Sequence, residues 1–200
     1  MASCTTFPRR VALLLLPIAA LSLVVAAAPL PMHPATAAET LAPRVLFLVR
    51  HAEKAAGPPK DPLLSEAGSA RAIALADLLV DAGVTHLFAS EFQRTQLTLA
   101  PLAQRIAKTV TVVNAGDPAA LIATLQALPP GAVAVVAGHS NTLPPLVRGL
   151  GGTLSGTETT PRGEMLPDTE YGRVMQLILP SGADGATAPV TSLRLHVGAR

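Results

Sequence analysis

Cysteine is nearly absent from this 200-residue chain: Cys4 is the only one. A single thiol allows no internal disulfide and no thiolate metal cluster. Tryptophan is missing, and the aromatics are four Phe and one Tyr. Neither a run of basic residues nor an aromatic platform for stacking bases is present, which argues against a nucleic-acid binder. Charge is sparse too, at 14% of residues.

One long uncharged run stands out. Residues 11–30, "VALLLLPIAALSLVVAAAPL", follow Arg9 and Arg10 and lead to the small residues Ala35, Thr36 and Ala37. A basic start, an apolar stretch and an A-x-A exit predict a secretory signal peptide over residues 1–38. Its removal leaves residues 39–200 as a single domain, periplasmic or secreted, with no membrane span. The alternative is a retained anchor, since ~20 apolar residues can cross a bilayer; Pro17, Pro29 and the small-residue exit favour cleavage. Two of the 15 basic residues, and none of the 13 acidic ones, precede residue 39. The remainder therefore carries 13 of each sign, and the basic isoelectric point of the whole chain implies no polyanionic partner.

Beyond residue 43, short apolar runs alternate with helical patterns. "RVLFLV", Arg44 to Val49, reads as a buried strand. A Gly/Pro-rich loop, Ala55 to Pro62, precedes a helix with Ser65 as N-cap, an Ile73, Ala76, Leu79 and Val80 stripe, and Gly83 as its stop. "THLFAS" is a strand ending at Ser90. The helix after it, from Glu91, contains Pro101, which predicts a kink or break. "TVTVV" is a strand, and Asp117 with Pro118 caps the next helix. "GAVAVVAG" is a strand, "NTLPPLVRGLGG" a short helix, and residues 152–168 a loop. "RVMQLIL" and "TSLRLHV" are late strands. Strands that are apolar on both sides and alternate with helices predict a three-layer α/β/α, doubly wound, mostly parallel sheet. Ligands in such folds bind beyond the carboxyl ends of the strands.

Polar clusters stand at three of those ends: Arg50-His51-Ala52-Glu53, Ser90 to Thr95, and Gly138 to Thr142. The sheet should deliver them to one crevice holding two histidines and two arginines. Arginine forks suit phosphate oxygens. A neutral histidine can attack phosphorus, a protonated one can donate to its oxygens, and a carboxyl can protonate a leaving group. The set suits phosphoryl transfer without a metal or other cofactor, because the cations neutralise developing charge.

"VRHAEK", "SEFQRTQLT" and "AGHSNT" resemble the histidine phosphatase superfamily, which is related to the phosphoglycerate mutases. The resemblance spans about residues 44–178. It departs at Ala52, where the family pattern has Gly, so no positive φ is expected there. The resemblance implies a phosphomonoester hydrolase acting on a small phosphorylated substrate. His51 would be the nucleophile that forms a phosphohistidine. Arg50, Arg94 and His139 would hold the phosphoryl oxygens. Glu53, Asp117 or Glu91 would be the proton donor.

Blander readings compete. Asp117 has the position of a plain N-cap, and Ser65 with Gly68 looks like ordinary helix-start chemistry. Asn141 and Thr142 either lend donors to a phosphate or only cap a helix. Lys54 should face solvent. His86 reads as a loop or helix-end histidine, His196 as solvent-facing, and Tyr171 as lining the substrate mouth or packing at the core edge. Among rival functions, "GHSNT" partly imitates a serine nucleophile elbow at Ser140, but Thr142 replaces its final Gly and only His196 follows. A metal site on His51, Glu53 and His139 would place a cation beside two arginines. A non-catalytic module that binds phosphorylated ligands would use the same cradle.

Overall fold

The computed structural model describes residues 42–57, 60–180 and 190–198. The apolar N-terminal segment and its expected cleavage point lie outside the described residues. Among the described residues no helix is long and apolar enough to cross a membrane.

Six strands form one sheet: β1 (Arg44–Arg50), β2 (His86–Ser90), β3 (Val110–Val113), β4 (Val133–Gly138), β7 (Arg173–Leu179) and β8 (Thr191–His196). Their order is β3-β2-β4-β1-β7-β8. β3, β2, β4 and β1 are mutually parallel; β7 pairs antiparallel with β1, and β8 antiparallel with β7. Four helices connect the strands: α1 (Glu66–Leu79), α2 (Gln93–Arg105), α3 (Pro118–Gln126) and α4 (Leu143–Gly149).

The period of two in the strands explains the layers. Leu46 and Leu48 of β1 join Ala134 and Val136 of β4 in one core, under Leu125 of α3 and Leu143, Leu146 and Val147 of α4. Phe47 and Val49 join Val135 and Ala137 in the other core, under Leu75, Ala76 and Leu79 of α1 and Leu99 and Leu102 of α2. Strands buried on both faces thus need no polar alternation. Each fully buried leucine contributes about 1.5–3 kcal/mol.

Several local expectations change. The buried stripe of α1 is Gly68, Ala72, Leu75, Ala76 and Leu79; Ile73 is 48% exposed, because it lies about 100° round the helix from Ala72. α2 starts at Gln93, after an extended Phe92, and runs through Pro101 without a break. The carbonyl that Pro101 cannot serve belongs to Leu97, which is on the exposed side where water can replace the missing donor. His86 opens β2, stacked on Phe88, and is neither a loop nor a helix-end residue. Residues 152–168 contain the hairpin β5 (Glu158–Thr160) and β6 (Gly163–Met165). Its three-residue strands are too short to carry a readable pattern.

Two expected caps are present. Ser65 Oγ accepts from Gly68 N at 3.1 Å. Asp117 accepts from Ala120 N at 3.0 Å, with Pro118 at the first helical position. Gly68 also has a packing role: a Cβ there would lie 2.2 Å from the Glu53 carbonyl oxygen.

Candidate active site

β1 ends at Arg50, paired with Gly138 at the end of β4, and β2 reaches Ser90 on the other side of β4. The residues that follow therefore share one edge of the sheet. His51 N donates to Gly138 O at 2.9 Å, extending the ladder one residue past the strand. The buried rings of His51 and His139 lie 5.3 Å apart, edge to face.

His51 Nδ1 sits 2.8 Å from the Ala52 carbonyl oxygen. A carbonyl only accepts, so Nδ1 carries the proton and Nε2 keeps its lone pair. The Ala52 peptide is itself fixed, since its N–H donates to Thr98 Oγ1 at 2.9 Å. Thr98 in turn donates to Arg94 O at 2.7 Å. Among the described residues Ala107 is the one non-glycine with positive φ, so alanine fits at position 52 without strain.

Arg50 is held mostly by main chain, with the exposed Asp168 carboxylate 3.5 Å from its NH2. Its NH1 donates to the carbonyls of Pro167, Asp168 and Glu170 at 2.8, 3.1 and 3.3 Å, and its guanidinium lies 4.2 Å from the Tyr171 ring centre. Arg94 is held by side chains. Its NH1 is 3.5 Å from Asp61 Oδ1, its NH2 is 3.4 Å from His139 Nδ1, and it covers the Phe92 ring at 4.4 Å. Among the described residues, the buried side-chain atoms that lack a hydrogen-bond partner are Arg50 Nε and Arg94 Nε. Both cations thus have more donors than the protein has acceptors for.

Electrostatics follow from this crowding. Burial, then the charges of His139, Arg50 and Arg94, lower the His51 pKa to about 3 against the opposing Ala52 hydrogen bond. Burial, Arg94, Arg50 and Lys54 lower that of His139 to about 4, with Glu91 opposing. Both rings are neutral at ordinary pH and sit in positive surroundings without a matching anion.

The remaining candidates are placed unevenly. Glu53 turns away from the histidines to form a two-pronged ion pair with Arg71 of α1, at 2.6–3.0 Å. Despite burial, Arg71 and then Arg50 hold its carboxyl below the usual range. Its carboxyl oxygens are thus engaged by Arg71. Asp117 is occupied as the N-cap of α3. Glu91 is exposed and accepts from Ala115 N at 2.9 Å, yet its charge acts on both His139 and Arg94. Thr142 Oγ1 accepts from His139 N at 2.9 Å, fixing the turn after β4, and Asn141 is exposed. Lys54 faces solvent, as does His196 at the end of β8. Tyr171 packs against Arg50 with its ring centre 6.0 Å from that of His51. Both nitrogens of His139 are engaged, by Ser90 and Arg94, so neither serves Ser140 as a base. Among the described residues no group of three or more His, Cys, Asp and Glu side chains is arranged to hold a metal.

Sequence reasoning passed over Asp61 and Thr98, and included Thr95 in the Ser90–Thr95 cluster without giving it a role. Asp61 is in the Gly/Pro loop and accepts from Gln93 N at 3.0 Å. Thr95 and Thr98 are buried on the same stripe of α2 as Leu99 and Leu102. Two hydroxyls at apolar positions of a helix were the readable signal.

Two histidines and two arginines are thus gathered at the carboxyl edge of a doubly wound sheet. Residues 46–115 match the model of the histidine phosphatase superfamily (branch 1), as the motifs imply. No curated protein sequence matches the chain significantly. Solved structures of the same fold include the protein histidine phosphatase SixA complexed with tungstate, at 21% identity over 76% of this chain and 96% of that one, TM-score 0.56. A candidate phosphohistidine phosphatase SixA from Nakamurella multipartitia is similar at 22% identity, over 80% and 100% of the two chains, TM-score 0.56. A mycobacterial glucosyl-3-phosphoglycerate phosphatase follows at 17% identity, over 75% and 97%, TM-score 0.51.

Proposed function

We propose that the protein is a metal-independent phosphomonoester hydrolase that works through a phosphohistidine on His51. The observation that carries this reading is the His51 imidazole itself. It is neutral, its Nδ1–H is tied to the Ala52 carbonyl, and its Nε2 lone pair is free beside Arg50, Arg94 and His139. The family match over residues 46–115 and the phosphatases that share the fold support it.

In the first step Nε2 attacks phosphorus, the N–P bond forms, and the P–O bond to the leaving group breaks. Arg50, Arg94 and a protonated His139 neutralise the equatorial oxygens. The leaving oxygen takes a proton from a carboxyl. Of the three carboxyls singled out by the sequence, Glu91 is the one that acts electrostatically on His139 and Arg94, and we assign it this role. In the second step water attacks the phosphohistidine and gives its proton to the Glu91 carboxylate, the N–P bond breaks with its electron pair returning to Nε2, and phosphate leaves. An exported location, expected from the N-terminal run, would expose the site to phosphoesters outside the cytoplasm.

Replacing His51 by Ala is expected to lower kcat/KM on an aryl phosphate by about 10⁴-fold or more, while phosphate still binds. Acid quenching of wild type during turnover should trap an acid-labile phosphohistidine at residue 51. Undiminished activity of His51→Ala would overturn the reading. An inactive wild type that binds phosphate would make the chain a phosphate-binding module. Glu91→Gln should slow alkyl phosphates roughly 10²–10⁴-fold and aryl phosphates far less, since a good leaving group needs little protonation.

A further inference from the structure

We infer that Ser90 and Thr95 are positioning residues that lock the tautomer of His139 and thereby couple anion binding at the site to the uptake of a proton. Their effect on turnover rests on the phosphatase reading above; the tautomer and the binding linkage do not.

The lock follows from counting hydrogens along one buried chain. Thr95 Oγ1 lies 2.7 Å from Phe92 O and 3.1 Å from Ser90 O. Carbonyls only accept, so the one hydroxyl hydrogen of Thr95 goes to a carbonyl. Thr95 Oγ1 then offers only lone pairs to Ser90 Oγ, 2.8 Å away, and the hydrogen of Ser90 must point at Thr95. Ser90 Oγ in turn offers only lone pairs to His139 Nε2 at 2.9 Å. Nε2 must therefore carry the proton. Ser90, Thr95 and His139 are all buried, so a mismatched pair of lone pairs would find no water to relieve it.

The consequence falls on the other nitrogen. With Nε2 protonated, neutral His139 shows a lone pair at Nδ1, and Arg94 NH2 faces it at 3.4 Å. A phosphoryl oxygen is an acceptor and cannot rest against that lone pair. Shifting the proton within the ring would set Nε2 against a Ser90 oxygen whose hydrogen is already committed. The lower-cost route is a second proton taken from solution onto Nδ1, giving an imidazolium that donates to Ser90 and to the anion together.

The groups facing His139 fit this behaviour. Arg94 from α2, Arg50 at the end of β1 and Lys54 after it oppose a positive ring, and Glu91 at the β2–α2 junction favours one. His51 contacts one side and the edge of Phe92 another. Burial first, and then cations that outnumber the carboxylate, keep His139 neutral in the free site, and an arriving dianion reverses the balance.

The test uses the full chain with ¹⁵N-labelled histidine and inorganic phosphate as the probe. Long-range ¹H–¹⁵N spectra at pH 7 should show free His139 as the Nε2–H form in wild type, and as a mixture or the Nδ1–H form in Ser90→Ala. Thr95→Val should loosen the lock in the same direction, and Thr95→Ser should restore it. Calorimetric titrations with phosphate in two buffers of different ionisation enthalpy should show proton uptake at His139 in wild type and less in Ser90→Ala. Wild-type His139 in the Nδ1–H form, or equal proton uptake in wild type, Ser90→Ala and Thr95→Val, would overturn the proposal. If tautomer and uptake behave as stated while no phosphomonoester is hydrolysed, the lock stands and the phosphatase reading fails.

Discussion

Arg50 with His51, and Arg94 with His139, form two halves of one cradle, and they are held by different materials. The first half leans on main chain: the carbonyls of Pro167, Asp168 and Glu170 hold Arg50, and the Ala52 carbonyl holds His51. The second half leans on side chains: Asp61 pairs with Arg94, and Ser90 bonds His139. A main-chain carbonyl neither titrates nor changes with substitution. A hydroxyl or carboxylate is lost on substitution, and a carboxylate also titrates. His51, the proposed nucleophile, is thus in the half that is hardest to perturb, and His139 in the half that can respond.

Truncating either arginine gives the largest contrast. Arg50→Ala and Arg94→Ala should each reduce kcat/KM roughly 10²–10³-fold, as expected for loss of one donor to developing charge. Their stabilities should then diverge. Arg50→Ala leaves the carbonyls of the 167–170 segment without their donor, at about 1–3 kcal/mol for each one kept from water. Arg94→Ala releases Asp61 toward solvent and should unfold at nearly the wild-type urea concentration. Equal destabilisation in the two variants would dissolve the distinction between the halves.

Acid should separate the two histidines next. An imidazole whose folded pKa lies below 6.5 binds fewer protons folded than unfolded, so stability falls as pH falls below 6.5. The decline should continue to about 4 for His139 and to about 3 for His51. Urea midpoints from pH 7 to 3 should therefore show a shallower decline in both alanine variants down to pH 4. Between pH 4 and 3 His139→Ala should follow wild type, and His51→Ala should remain shallower.

The smallest effect concerns Asp61. Phosphate competes with its partly exposed carboxylate for Arg94, and such pairs are worth about 0–1 kcal/mol. Asp61→Asn should tighten phosphate binding by no more than about fivefold, read by calorimetry. The matching variant beside Arg50, Asp168→Asn, should do less still, because that carboxylate is exposed and three main-chain carbonyls keep hold of the guanidinium.

The sheet, and the gathering of Arg50, His51 and His139 at one edge of it, were legible because strand-end positions follow from hydrophobic period. Leu46 to Val49 and Val133 to Ala137 are apolar on both faces, which fixes a covered sheet and aims Arg50 and His139 past its edge. The support of the site was not legible in the same way. Glu53 is two residues from His51, and only the packing of α1 shows that Arg71 claims it. Thr95 and Thr98 look like polar interruptions of a helix until the β2 and β1 ends are set beside them. Ile73 and Leu75 are equally apolar, and the choice between them depends on where α1 meets the sheet.

Gly68 gives α1 the character of a mechanical stop. Its bare Cα rests on the Glu53 peptide, where an added methyl would fall 2.2 Å from the carbonyl oxygen. Main chain cannot swing aside as a side chain does. Gly68→Ala improves helix propensity by about 0.8–1 kcal/mol but should cost about 1–3 kcal/mol in overpacking. It should also carry the peptide two residues beyond His51 out of register. Every charge and every hydrogen-bonding group of the cradle would remain, and turnover should still drop. One uncharged carbon behind His51 would act as a wedge, and the helix is the anvil against which that histidine is set.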